Sequence, residues 1–362
     1  MSSGTKKYDY IIIGQGIAGT ILGYILLKKG YKILIVNNSS ANTSSQVAAG
    51  ICNPVTGKKM NLTWAAPKLF PYLNSFYKDF ENFLGEDFFH PMPIYRPYVS
   101  VEEQNYWQAK LENPTVQSVV NENPDDQKYE PYIHCPYNGF EIKMGGWLDL
   151  PKMLSSFKKH LEENGLYIEA SFLHEDLYLD DVILWGDFEA RGLIFCDGSS
   201  GPANPYFRWL PFTLTRGDIL TLYSKELKIK NIVNKGGIFI LPLGNNRFRS
   251  GATYDWKFID PGPSEKGREE IRQKLEKILK VPFEIVDHHA GVRPAVVDRK
   301  PLLGVHPEIK NIFIFNGLGT KGVSLAPYFA EEMSEFLISG KDPEPTVNIN
   351  RFFALYTPAS QS

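Results

Sequence analysis

The stretch that most constrains this chain is Tyr8-Asp9-Tyr10-Ile11-Ile12-Ile13-Gly14-Gln15-Gly16-Ile17-Ala18-Gly19. Three consecutive isoleucines suit a strand buried on both faces, the situation of a central parallel strand. The strand runs into Gly-x-Gly-x-x-Gly, where each glycine has a mechanical task. Gly14 permits the tight turn from strand to helix, Gly16 lets a pyrophosphate approach the backbone at the helix N-terminus, and Gly19 lets helix and strand pack closely. An apolar helix follows from Ile17 to Lys29, Gly30 stops it, and Lys32 to Val36 reads as the next strand. Strand, glycine turn, helix and strand in this order predict a dinucleotide site at Gly14, Gly16, Ile17, Ala18 and Gly19; the competing reading is a purely structural turn.

One position departs from the pattern. A carboxylate is expected about 20 residues beyond the glycines to hold the ribose hydroxyls. Asn37 stands there, followed by Asn38. An amide accepts one hydrogen bond and donates another, so the sequence predicts a weaker, uncharged ribose anchor. No arginine lies beside it for the extra phosphate of NADP.

With 362 residues the chain exceeds one small domain, and two domains are expected. A net charge of -2 excludes a broad basic field, so general nucleic-acid affinity is not indicated and tRNA binding would need a local patch. Cys52, Cys135 and Cys196 are odd in number and lack Cys-x-x-Cys spacing, which argues against a disulfide framework or a zinc site and for a reducing cytoplasm. Met1 to Lys7 is polar and the apolar run after it is broken by glycines, so neither a signal peptide nor a membrane span is expected.

Ser39 to Gly50 is small and polar. It is either a surface loop or a backbone-rich strip against a cofactor, with Ser45, Gln46, Ala49 and Gly50 in contact. Ala65 to Leu84 has helical period, with a core stripe of Leu69, Leu73, Phe76, Tyr77, Phe80 and Phe83. Phe89 to Val101 and Asn113 to Tyr137 read as loops and strands of a second domain, and Ser100 to Leu111 and Ser118 to Tyr129 as solvated surface. A helix opens at Leu150-Pro151 and runs to about Asn164. Tyr167 to Phe172 and Val182 to Trp185 are short strand candidates, and Gly192 to Gly198 is a second buried strand ending in glycine. That places Phe172, Cys196, Asp197 and Gly198 along the other edge of a dinucleotide.

Leu214 to Tyr223, Ile232 to Leu241 and Arg247 to Thr253 alternate as strands with turns at Gly236-Gly237 and Gly244-Asn245-Asn246, predicting an antiparallel sheet over a pocket. Ser264 caps an amphipathic helix to Lys280, and His289 to Pro301 is expected to be a loop. Asn311 to Phe315 is again a strand, followed by a glycine-rich loop and a helix from Val323 whose N-terminal dipole favours negative charge. The pair His288-His289 has no third ligand at metal spacing, and adjacent strand residues face opposite ways, so no metal is expected there and a catalytic role is left open.

Three separated features line up: Gly14-x-Gly16-x-x-Gly19, then Gly291-Val292-Arg293-Pro294 with Asp298, Pro301 and Gly304, then Asn316-Gly-Leu-Gly-Thr-Lys-Gly322-Val-Ser-Leu-Ala-Pro327. Together they resemble the D-amino-acid oxidase and glycine oxidase family of FAD enzymes over nearly the whole chain. Gly146-Trp147, Leu210-Pro211, Arg216-Gly217 and Gly251-Ala-Thr-Tyr254-Asp255 look closest to the FAD domain of the bacterial enzyme that removes a carboxymethyl group from 5-carboxymethylaminomethyl uridine in tRNA. The resemblance implies non-covalent FAD held by the first glycines, the Ser44 to Gly50 strip and the loop of Gly317, Gly319, Thr320, Lys321 and Gly322. It implies that Arg293 grips a substrate carboxylate, and that the enzyme oxidises a C–N bond of an amino acid or secondary amine beside it, with tRNA wobble-uridine modification as the alternative.

On that reading Lys321 and Tyr254 join Arg293 as catalytic candidates. The bland alternatives are an Arg293–Asp298 ion pair, a solvated Lys321 and a buried structural Tyr254. The expected architecture is α/β (α+β overall). Residues 1–60, 145–205 and 290–362 form a Rossmann-like FAD-binding domain, and 61–144 and 206–289 a mainly antiparallel β substrate domain.

Overall fold

Lys6–Ile13 lies inside an eight-stranded sheet, flanked in parallel by Ile33–Asn37 on one side and Phe188–Phe195 on the other. Its side chains alternate between two cores: Ile12 enters one, Ile11 and Ile13 the other. This is why three isoleucines stand in a row, each contributing roughly 1.5–3 kcal/mol by burial. The computed structural model describes residues 5–39, 43–56, 61–257, 259–260 and 262–358.

The helix Ile17–Lys28 packs on this sheet beside Gly322–Ser339, with Ala66–Leu84 and Leu150–Glu163 completing the layer. The close approach is set by Gly19, where a Cβ would fall 2.0 Å from the Gly14 carbonyl oxygen. The Leu150–Glu163 helix starts as its sequence predicts, with the Asp149 carboxylate accepting from the Lys152 N–H and Pro151 in the first turn. Tyr167–Glu169 extends the sheet beyond Ile33–Asn37, and Ile312–Asn316 lies parallel to Phe188–Phe195.

A second eight-stranded sheet runs in the order Glu284–Val296, Phe212–Tyr223, Arg247–Gly251, Ile238–Gly244, Ile232–Lys235, Ile94–Pro97, Gly139–Ile142 and Val120–Asn121. All its pairings are antiparallel except that of Ile232–Lys235 with Ile94–Pro97. The α/β class and the two kinds of sheet are therefore as the sequence indicates.

Two expectations are corrected. The segment around His289 to Val296 is not a loop: Glu284–Val296 is one long strand paired along Phe212–Tyr223. Pro294 is compatible with it because this is the edge strand of the sheet, where a missing N–H is tolerated. A domain boundary at residue 290 would fall inside that strand. Ser100 to Leu111 is more than solvated surface, since Val101–Lys110 is a helix capped by the Ser100 hydroxyl, with Trp107 fully buried beneath its charged residues.

Candidate active site

The N-cap of the Ile17–Lys28 helix is Gly16, which has no side chain to cap it, and the first turn holds no acidic residue, so the helix's positive end favours an anion. Gly14 has φ +99°, and a Cβ there would also sit 2.5 Å from the Cys196 carbonyl oxygen. Both demands exclude any other residue. The Ser45 hydroxyl accepts from the Ile17 N–H at 3.0 Å, drawing the 44–50 strip against the glycine turn. Part of that strip is helical, Ser44–Val47, capped by Thr43.

These elements open onto a cavity of about 840 Å³. Of the cofactor residues expected from sequence, Gly16, Ile17, Ala18, Ser45, Ala49, Gly50, Cys196, Gly198, Gly319, Thr320 and Gly322 line it, together with Arg293 and Tyr254. Volume, glycine-lined walls and two helix N-termini, of Ile17–Lys28 and Gly322–Ser339, fit an extended dinucleotide.

The remaining candidates stand elsewhere. Gly14, Gly19 and Gly317 lie behind the wall as close-packing positions; Gly317 has φ +74° and a Cβ there would be 2.7 Å from Val296. Half-buried Asp197 accepts from Asn204 at 2.9 Å and Asn316 at 2.8 Å, fastening the ends of two parallel strands; its partial burial raises its pKa above the usual carboxylate value. The Asn37 amide is engaged within the protein: its Oδ1 accepts from the Gln15 N–H at 2.9 Å and its Nδ2 donates to the Tyr167 hydroxyl at 3.2 Å. Asn38 donates to Ser171, Gln46 is exposed, and Phe172 packs on Trp185 and Phe195. None of these four lines the cavity. Lys321 immediately precedes the Gly322–Ser339 helix, between two lining residues but not lining itself; burial first, then Arg299, lowers its pKa.

Arg293 projects from the long edge strand across Gly217 of the neighbouring strand. A Cβ on Gly217 would fall 2.0 Å from Arg293 Nη2, so the glycine makes the space in which the guanidinium rests. Arg293 Nη1 donates to the Thr253 carbonyl at 3.3 Å, and Cζ lies 4.9 Å from the centre of the Tyr254 ring. Burial lowers its pKa, opposed by Tyr254 and Asp218. Asp298, the alternative partner, pairs with Arg351 at 2.9 Å instead. A partly buried guanidinium with one carbonyl partner retains donors for a carboxylate. Tyr254 is 53% exposed, which removes the buried-aromatic alternative.

Thr253 is held by a buried hub. The Asp218 carboxylate accepts from Thr253 Oγ1 at 2.9 Å, Arg216 Nη2 at 3.0 Å and the Ser264 N–H at 2.9 Å, and contacts His288 Nε2 at 3.0 Å. His288 thus faces the hub, whereas His289 faces outward to Asp287. Among the described residues no cluster of three His, Cys, Asp or Glu suits a metal. Sequence reasoning missed Arg96, Asn234 and Phe239 on the cavity wall and the part played by Gly217. Sheet register assembles them, and no local motif marks it.

The family model described as FAD dependent oxidoreductase, DAO, matches residues 9–336. An uncharacterised oxidoreductase of Bacillus subtilis, YurR, is 22% identical, covering 93% of this chain and 96% of that protein. The tRNA 5-methylaminomethyl-2-thiouridine biosynthesis bifunctional protein MnmC of Marinobacter nauticus is 22% identical over 90% of this chain, which spans 54% of its length. Among solved structures, glycine oxidase from Geobacillus kaustophilus superposes with a TM-score of 0.80 at 18% identity, covering 96% of this chain and 98% of that one. With the glycine-lined cavity and the match extending over most of its length, this chain belongs to the DAO family of FAD-dependent oxidoreductases.

Proposed function

We propose that this enzyme oxidises the C–N bond of an amino acid or secondary amine beside a carboxylate. The observation that carries the reading is Arg293, seated over Gly217 on the cavity wall with its alternative partner Asp298 engaged by Arg351. In this reading the parallel-sheet part of the chain holds FAD and the antiparallel sheet presents the substrate. The likeness to glycine oxidase in fold supports this. Bound FAD supplies the hydride acceptor.

The chain's own residues orient and stabilise. Arg293 takes the substrate carboxylate as a bidentate pair, which fixes the direction in which the Cα–H points. Tyr254 flanks that guanidinium and restricts the substrate's rotation about it. The N-terminus of the Gly322–Ser339 helix, assisted by Lys321, favours negative charge arriving nearby. The imine product then hydrolyses in water. Three buried free cysteines accord with a cytoplasmic location, and no helix among the described residues is long and apolar enough to cross a membrane.

The test is Arg293→Leu, which keeps its yellow cofactor and loses turnover of carboxylated amines. Unchanged turnover would remove Arg293 from the site. The alternative reading, removal of a carboxymethyl group from a tRNA wobble uridine, is favoured by the similarity to MnmC across 90% of the chain. The net charge of -2 lends it no support.

A further inference from the structure

Thr253 does not line the cavity, yet it is one of two consecutive residues that hold the Arg293 guanidinium, Thr253 by its carbonyl and Tyr254 by its ring. Whatever orients this short segment therefore orients the seat of Arg293. The segment lies just beyond the strand Arg247–Gly251, where no sheet ladder fixes Thr253. One residue fixes it instead. The Thr253 N–H donates to the Asp218 carbonyl at 3.3 Å, its Oγ1 accepts from the Asp218 N–H at 2.8 Å, and the same hydroxyl donates to the Asp218 carboxylate at 2.9 Å. A hydroxyl has a single proton to donate, and here the carboxylate takes it.

Asp218 is itself held fast. It is 1% exposed, and its carboxylate accepts from Arg216 Nη2 and from the Ser264 N–H at the start of the helix Glu265–Ile278. A charge-assisted bond and a helix N-terminus both favour an anion there. Gly267 in the first turns of that helix leaves the room, since a Cβ on it would fall 2.1 Å from Asp218 Oδ2. None of Arg216, Asp218, Thr253 and Ser264 lines the cavity; the bond from Arg293 Nη1 to the Thr253 carbonyl is what joins this network to the site.

We propose that Thr253 is a positioning residue for substrate binding: its hydroxyl, bonded to Asp218, aims the 253 carbonyl at Arg293 Nη1, and that carbonyl sets the plane in which the guanidinium meets a carboxylate. The proposal rests on the carboxylate-directed reading of Arg293. A guanidinium presents its donors in a rigid planar fork, so tying Nη1 on one side fixes the direction of the others. Nη2 lies over Gly217 and the Tyr254 ring flanks Cζ, which leaves the fork one orientation as long as the carbonyl stays in place.

The test separates positioning from folding. FAD-loaded protein is titrated calorimetrically with methoxyacetate, which gives a stoichiometry and a Kd in one experiment. A purely structural role for Thr253 would lower the fraction of competent protein, and with it the stoichiometry, while leaving the Kd of the remainder unchanged. A positioning role raises the Kd. Thr253→Val keeps the shape and removes the hydroxyl; it should bind methoxyacetate about 10-fold more weakly at unchanged stoichiometry, the loss expected when a bidentate pair is reduced to one good bond. Thr253→Ser retains the hydroxyl and should stay within about threefold of the natural protein. Thr253 is 4% exposed, so if the valine protein does not hold FAD, Thr253→Cys, of similar size and with only a weak donor, is judged by the same Kd criterion. A rise below about threefold in Thr253→Val, or an equal rise in Thr253→Ser, overturns the proposal. Arg293→Leu is the control. If it binds methoxyacetate as the natural protein does, the reading of Arg293 falls and this proposal with it; if it loses binding while Thr253→Val retains it, the proposal alone falls.

Discussion

Gly217→Ala isolates what the site geometry does, because the substitution adds and removes no charge and no hydrogen-bonding group. Its Cβ would lie 2.0 Å from Arg293 Nη2 and 2.5 Å from both Cζ and Nη1. Ordinary contact requires about 3.5 Å, so the guanidinium must retreat by roughly 1 to 1.5 Å. The three atoms nearest that Cβ all belong to the Arg293 guanidinium, the end of a flexible side chain, and a strand accepts alanine, so the fold should survive with a small loss of stability. A displacement near 1 Å in a positioning group costs on the order of 100-fold in rate. A bidentate pair reduced to one hydrogen bond weakens carboxylate binding by roughly 10- to 100-fold, about 1.4 to 2.8 kcal/mol. The assay titrates FAD-loaded protein with methoxyacetate and follows the flavin's visible spectrum, alongside turnover of a carboxylated amine. Normal FAD content with a weakened carboxylate Kd is expected. An unchanged Kd would show that the position of Arg293 does not set carboxylate affinity.

Three further perturbations follow from the same structure. Gly16→Val places a branched side chain at the uncapped helix N-terminus, where even a Cβ comes within 3.2 Å of Ser45 Oγ; the protein should purify colourless and stay so when FAD is added. Asp218→Ala leaves Arg216, only 4% exposed, without its carboxylate and releases Thr253; denaturant titration should show a loss of roughly 3–5 kcal/mol, and a loss below about 1 kcal/mol would refute the hub. His306, whose Nδ1 accepts from the N–H groups of Glu308 and Ile309, has its pKa lowered by burial, partly opposed by Glu308. The folded chain therefore resists a proton that the unfolded chain accepts below about pH 6.5, so stability falls on acidification through that value. His174 acts in the same direction. In urea titrations at neutral and mildly acidic pH, His306→Asn should lose less stability than the natural protein, and an equal loss would exclude His306 as a source.

What was legible in the sequence is what local chemistry fixes. Gly14 and Gly19 answer to steric demands within one strand-turn-helix unit, and Asp149-Leu150-Pro151 announces a helix start by itself. The stretch from His289 to Val296 reads locally as a loop because Gly291 weakens a strand and Pro294 argues against a central one. Only the sheet shows that this is an edge, bonded on its inner side to Phe212–Tyr223. Trp107 is hard to read from the sequence because six of its helix's ten residues are charged or amide-bearing, which conceals one buried ring. For the site, Arg293 could be named from its motif. Its seat over Gly217 could not, since residues 76 positions apart meet only through strand register. Asn37 shows the converse: its position was foreseen, but its amide is engaged by Gln15 and Tyr167.

The most direct test of the central claim is anaerobic mixing of the FAD-loaded protein with matched pairs of amines, one member of each carrying the carboxylate and the other lacking it. Glycine, sarcosine, D-amino acids and N-substituted glycines serve as the carboxylated members, with hypomodified tRNA in a parallel trace. The structure predicts that the flavin's visible absorption is lost with at least one carboxylated amine and retained with its partner. Retention with every carboxylated amine, or equal loss with both members of a pair, would contradict it.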